Sequence, residues 1–140
     1  MASDDHKLEA QVLTPEGPVF DGELFMVSTR TEVGEVGIRA RHAPMIARLV
    51  PCELRLHDSD SGEPERYAQG EGWLEVFANR ARVLIAEAIP PDQLDAGDLR
   101  ERLDEATRRL GDAEEGSAAH ELAEREKRRF EMFLQIAENR

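Results

Sequence analysis

The sequence predicts an antiparallel β-sandwich or barrel followed by a pair of α-helices. Three observations carry that prediction. All seven prolines lie at or before Pro91, with seven of the ten glycines. Apolar residues upstream of the Pro90-Pro91 pair recur at every second position, the period of a half-buried strand. Downstream they recur every three or four positions, the period of a helix face. Proline is excluded from helix interiors, so the break falls at the proline pair and divides the chain into domains 1–90 and 91–140.

The first strand runs from Leu8 to Leu13, with Leu8, Ala10 and Val12 alternating. Thr14-Pro15-Glu16-Gly17 closes it as a turn with proline at the second position. Leu24 to Val27 reads as a second strand. Cys52, Leu54 and Leu56 alternate with Glu53, Arg55 and His57, and Asp58-Ser59-Asp60-Ser61-Gly62 forms a hairpin tip before Glu65 to Gln69. Trp73 to Phe77 and Arg82 to Ile89 complete the set around Ala78-Asn79-Arg80. No helix is legible between these short strands, which excludes parallel βαβ units and leaves the antiparallel architectures.

In the second domain, Leu99, Leu103, Ala106 and Leu110 form one helical stripe. Asp95 is its expected N-cap and Asp98 sits at N3, while Leu94 and Leu99 form a hydrophobic staple. Gly111 is the expected stop. Ser117 caps a second helix with the stripe Leu122, Phe130, Phe133, Leu134 and Ala137. The short Gly111–Gly116 connection predicts an antiparallel, coiled-coil-like hairpin. About eight large apolar side chains must offset the backbone entropy of roughly 45 residues, which leaves the hairpin marginal by itself.

Thirty acidic against eighteen basic residues give a formal charge of −12, which argues against nucleic acid as a partner. The single cysteine, Cys52, excludes an intramolecular disulfide and a cysteine metal knuckle. No apolar run is long enough to enter a membrane directly, so the chain reads as a soluble protein of a reducing compartment. No Walker loop, nucleophile elbow, His-Glu-x-x-His or Cys-x-x-Cys is present. Gly70-Glu71-Gly72 lacks the third glycine of a dinucleotide fingerprint and reads as a strand boundary. Asp58-Ser59-Asp60 has its glycine one place too early for a calcium loop. His6, His42, His57 and His120 fall in separate elements, and Cys52 alternates with inward residues as a small buried hydrophobe. No catalytic residue, cofactor or metal is therefore expected.

The helical charges form acid-before-base pairs at i, i+4: Asp98–Arg102, Asp104–Arg108, Glu105–Arg109, Glu121–Arg125 and Glu124–Arg128. A solvated, paired surface accounts for them. In the cluster Arg125, Lys127, Arg128 and Arg129 the bases outnumber the nearby acids. A solvated face and a contact for an acidic protein surface both fit that cluster.

Taken in order, several stretches carry a resemblance. They are Leu13-Thr14-Pro15-Glu16-Gly17-Pro18-Val19-Phe20-Asp21-Gly22, Gly34-Glu35-Val36-Gly37-Ile38, His42-Ala43-Pro44 and Gly72-Trp73-Leu74-Glu75-Val76, continuing through Asn79 into Val83-Leu84-Ile85-Ala86. With the switch at Pro90, the chain resembles the epsilon-subunit family of F-type ATP synthases over about residues 7–138. The resemblance implies a flattened β-sandwich bearing a mobile two-helix domain. It also implies a non-catalytic rotor subunit on the cytoplasmic face of the bacterial plasma membrane. The sandwich would touch the gamma subunit and the proton-driven c ring, coupling ring rotation to the catalytic head. Glu35, Ile38, Arg39 and His42 are the implied ring contacts. When the helices extend toward the alpha/beta head and restrain hydrolysis, Arg125, Lys127, Arg128 and Arg129 are the implied beta-subunit contacts. The alternative is a free-standing β-sandwich adaptor with an acidic helical interaction tail.

Two departures from the family pattern matter. The ring-facing turn commonly has Pro-Gly before His-Ala-Pro, where this chain has Ala40-Arg41 with Arg39 beside them. Nucleotide-binding members carry Ile/Leu-Asp-x-x-Arg-Ala, where this chain has Leu94-Asp95-Ala96-Gly97-Asp98-Leu99. Phe133 falls near the place of a further arginine. The hairpin is thus expected to bind ATP weakly or not at all.

Overall fold

The computed structural model describes residues 6–139. The chain forms two compact units, divided between Ile89 and Pro90.

Among the described residues the first unit holds ten strands: β1 (Leu8–Thr14), β2 (Gly17–Leu24), β3 (Met26–Thr31), β4 (Gly34–Arg39), β5 (Met45–Leu49), β6 (Cys52–His57), β7 (Glu65–Gln69), β8 (Gly72–Phe77), β9 (Arg80–Ile85) and β10 (Ala88–Ile89). Their order is β10-β7-β6-β3-β5-β8-β9-β1-β2, with β4 on β3. The β3–β5 junction is a single residue pair, Thr31 with Leu49, so it joins two halves that share one core. Leu8, Ala10, Val12, Leu74, Val76, Ala81, Val83 and Ile85 enter that core from one half. Val27, Ile38, Leu54, Leu56 and Tyr67 enter from the other. The sandwich and helical hairpin thus take the form expected from the sequence.

Several details differ from the sequence reading. The run Leu24 to Val27 spans a junction, because β2 ends at Leu24 and β3 begins at Met26. Arg82 to Ile89 is interrupted at Ala86-Glu87, which separates β9 from β10. Strands β2, β4 and β5 add to those the alternation predicts. One pair is parallel: β1 lies beside β9 from Glu9–Arg80 to Leu13–Leu84.

Two turns share one construction. Thr14 Oγ1 donates to the Gly17 carbonyl at 3.1 Å and accepts from the Glu16 amide at 3.2 Å. Thr31 Oγ1 does the same with the Gly34 carbonyl (3.0 Å) and the Val33 amide (3.2 Å). Both glycines hold left-handed φ angles, 126° and 137°, which a side chain would strain.

The core contains one polar group chain. Thr29 Oγ1 donates to Gln69 Oε1 at 2.6 Å, and Gln69 Nε2 donates to the Val50 carbonyl at 2.9 Å. Cys52 lies against the same threonine and is buried, and burial pushes its thiol pKa up. An inert thiol follows.

The second unit opens on a 3-10 turn, Pro91–Gln93, and holds α1 (Ala96–Asp112) and α2 (Ala118–Glu138). Asp95 caps α1 by accepting from the Asp98 amide at 3.1 Å, and Ser117 caps α2 through the His120 amide at 3.1 Å. Gly111 is not the stop; it lies inside α1, and the left-handed glycine of the connection is Gly116. The buried stripe of α2 is Ala123, Phe130, Phe133, Ile136 and Ala137. Leu122 was expected there and is instead 52% exposed, one residue off the stripe.

Candidate docking surfaces

The residues singled out on the sandwich lie along β4 and the turn after it, and among the described residues β4 pairs with β3 alone, its other edge unpaired. Glu35 stands at one end, exposed, with its carboxylate 3.1 Å from Arg30 Nη2. Beside it the tip carries the exposed Val33, raised by the Thr31–Gly34 turn. Arg39 and the turn to His42 stand at the other end, about 13 Å from Glu35 at strand rise. Glu35 and His42 therefore flank the strand edge without meeting. Ile38 is corrected outright: it is 0% exposed, in the sandwich core, so its side chain cannot touch a ring. Alternation places it inward because Glu35, Gly37 and Arg39 face out.

The His42 turn is tightly specified. The His42 amide donates to the Arg39 carbonyl at 3.2 Å, and Arg41, third in this turn, holds a φ of 62°. Positive φ at that position alone defines a type II turn, which glycine normally fills. An arginine there carries about 1–2 kcal/mol of strain. The Asn79 carboxamide crosses to it, accepting from the Arg41 amide at 2.8 Å and donating to the Lys7 carbonyl at 3.0 Å. His42 Nδ1 lies 2.8 Å from the Ala43 carbonyl.

Between Glu35 and Glu53 the chain has no acidic residue and carries Arg39, Arg41 and Arg48. Among the described residues none of these three forms an ion pair. The Arg39 guanidinium sits 4.5 Å from the Phe25 ring centroid, and that of Arg48 lies 5.8 Å from Trp73. Arg39 and Arg41 thus stand together at the His42 end of β4, whereas Arg48 lies at the other end of β3, where its carbonyl accepts the Glu32 amide.

The outer face of the β5-β8-β9-β1 half is the second surface. Register places Trp73 between Arg48 and Leu84, and Ile46 beside Glu75. Ile46 is 73% exposed, Phe77 66% and Trp73 49%. Several large apolar side chains displayed on one sheet face mark an interaction surface.

The helical cations do not form one face. At ~100° per residue, Lys127 points nearly opposite Arg125 and Arg129, and it is half-buried. Arg128 Nη2 is 3.2 Å from Glu124, and the Arg129 guanidinium lies 4.7 Å from the Phe130 ring centroid. The expected i, i+4 pairs that form include Asp98–Arg102 (2.8 Å), Glu105–Arg109 and Glu124–Arg128. Two further pairs join the helices to each other: Arg109–Glu126 at 3.3 Å and Arg100–Glu138 at 2.6 Å.

Among the described residues no group of three or more His, Cys, Asp or Glu side chains is placed to hold a metal ion. A sandwich that displays turns, an open strand edge and an apolar face, with a helical pair in series, defines a docking protein, a subunit of something larger. Residues 7–91 match the family described as the ATP synthase delta/epsilon chain, beta-sandwich domain. The chain belongs to that family. It is 34% identical to the ATP synthase epsilon chain of Persephonella marina, over 91% of this chain and 93% of that one. It is 29% identical to that of Rubrobacter xylanophilus, over 98% and 96%. A chain in the Euglena gracilis mitochondrial ATP synthase structure shares the fold, with a TM-score of 0.79 at 20% identity, over 96% of this chain and 82% of that one.

Proposed function

We propose that this chain is a non-catalytic central-stalk subunit of a proton-translocating F-type ATP synthase, coupling c-ring rotation to the catalytic head. The observation that carries this reading is the family match across the sandwich, with relatives named as epsilon chains that also span the helical pair. In this reading residues 1–90 bind the gamma subunit and the ring, and residues 91–140 restrain ATP hydrolysis. The apolar face around Ile46, Trp73 and Phe77 suits gamma, because it offers large side chains that only a partner would cover. The β4 edge with Glu35, Arg39 and His42 suits the polar loops of the ring. Arg125, Lys127, Arg128 and Arg129 then reach the beta subunit when the helices extend, after exchanging their internal partners. In this reading the chain sits peripherally on the cytoplasmic face of a bacterial plasma membrane, beside the ring, and no described helix is long and apolar enough to cross a membrane.

Co-purification from detergent-solubilised membranes tests this reading. Gamma should come down with the chain, and Trp73, the single tryptophan, should shift its emission to the blue when gamma covers it. Cysteines placed at Glu35 and at His42 should crosslink to the ring. Crosslinks to the alpha and beta subunits alone would overturn the orientation.

A further inference from the structure

We propose that Asn79 is a positioning residue for the cationic His42 turn; the proposal rests on reading that turn as a docking surface. Asn79 belongs to a different hairpin, the two-residue connection between β8 and β9. Its backbone and that of Ala78 are left-handed, with φ of 61° and 51°, as a type I′ turn requires. That conformation aims the carboxamide sideways across the sandwich end. There it accepts the Arg41 amide and donates to the Lys7 carbonyl, while the Asn79 carbonyl accepts the Glu9 amide at 3.1 Å. One side chain thus ties the start of β1, the β8–β9 turn and the His42 turn together.

The tie matters because the turn lacks the residue that would hold it unaided. Arg41 occupies the glycine position of a type II turn, and its local bond is the 3.2 Å contact from His42 to Arg39. The Asn79 bond to the Arg41 amide, at 2.8 Å, is the shorter of the two. Through it the arginine keeps its left-handed backbone, and the Arg39 and Arg41 side chains leave the sandwich on a fixed heading. Asn79 therefore acts through Arg41, and it presents the cations without touching the partner.

Three variants of the full chain test this. Asn79→Gly keeps the left-handed backbone at no strain and deletes the carboxamide. Amide exchange at Arg41 and His42 should quicken roughly five- to tenfold, the worth of one net hydrogen bond, with the amides of Leu74 and Val83 unchanged. Asn79→Asp retains the acceptor and should keep most of the Arg41 protection. Arg41→Gly added to Asn79→Gly should restore His42 protection, since glycine needs no tie. Unchanged exchange at Arg41 and His42 in Asn79→Gly would overturn the proposal, as would an equal loss at Leu74 and Val83. Ring capture by the same variants separates the two ideas. Quickened exchange with full ring capture upholds Asn79 as the tie and sinks the reading of the turn as a ring contact. Weakened capture with unaltered exchange sinks the role of Asn79.

Discussion

Gly72 begins β8 at the point where that strand is gripped by β9 and β5 together. A Cβ added there would lie 1.9 Å from the Leu84 carbonyl oxygen, 2.7 Å from Ile85 Cα and 2.8 Å from the Leu84 carbonyl carbon. Carbon–oxygen contacts close at about 3.3 Å, so in Gly72→Ala the strands must part locally by roughly 1.4 Å. An opening of that size breaks the Gly72–Ile85 pairing and strains the adjacent bond from the Ala86 amide to the Glu71 carbonyl, now 2.9 Å. Two buried backbone groups losing partners cost ~1–3 kcal/mol each, and β8 takes the core residues Leu74 and Val76 with it. The expected loss is about 3–5 kcal/mol, which lowers the melting temperature of a unit this size on the order of 15–30 °C. Near-UV circular dichroism of Trp73, next in sequence, follows the sandwich specifically. Gly111→Ala is the control: its Cβ meets nothing within 4 Å inside α1 and should gain up to ~1 kcal/mol. A Gly72→Ala protein melting within about 3 °C of the parent would refute the steric reasoning.

Gln69→Leu leaves the Thr29 hydroxyl with only the weak sulfur partner of Cys52 and takes the side-chain donor from the part-buried Val50 carbonyl, and should cost about 1–3 kcal/mol by urea denaturation. Adding Thr29→Val should recover part of that loss, because one orphan disappears with its partner. Tyr67, the single tyrosine, is pushed up to about 12 by burial, by its hydrogen bond to Glu65 and by the Glu65 charge. Its ultraviolet titration should sit well above the ordinary value near 10. A raised acid pKa favours the protonated folded state, so this contribution is full below pH ~10 and lost as pH rises through about 12. Tyr67→Phe should remove that alkaline slope. Calorimetry with millimolar Mg-ATP should show no saturable heat, since the Asp95 carboxylate takes the Asp98 amide, both aspartates put negative charge at the start of α1, and the Asp98 carboxylate pairs with Arg102. A dissociation constant below ~100 μM would mean that the hairpin assembles a phosphate site.

The legible parts of the fold were those where side-chain chemistry and burial agree. Strands β1 and β6 alternate cleanly, and both helix N-caps carry the residue types that caps require. Strand β5 was hidden because the exposed Ile46 sits beside the inward Met45 and Ala47, so the alternation is chemically blurred. Strand β4 carries two glycines in six residues, which lowers its apparent strand propensity. A signal was present there: Thr31-Glu32-Val33-Gly34 repeats the threonine-to-glycine spacing of Thr14-Pro15-Glu16-Gly17. In α2 the outward Leu122 outweighed the inward Ala123, since hydrophobicity alone does not separate neighbours on a helix. Ile38 shows the same limit at the candidate site. Membership in a motif marks its stretch of chain, whereas burial decides which residues of the stretch are available.

The pairing of β1 with β9 has a consequence in time. Arg80 bonds Glu9 across 71 residues of chain, and the strand that leaves the ribosome first must wait for nearly the last strand of its unit. Contacts so distant are slow to close, because loop entropy is surrendered before any of them is rewarded. During synthesis β1 can hold only its hairpin with β2, leaving the backbone edge that β9 will take unpaired. The helices that follow rest on near neighbours and form quickly once released. The nascent chain is therefore exposed to self-association for as long as β9 remains in the exit tunnel, and slowing translation before Arg80 should lengthen that interval.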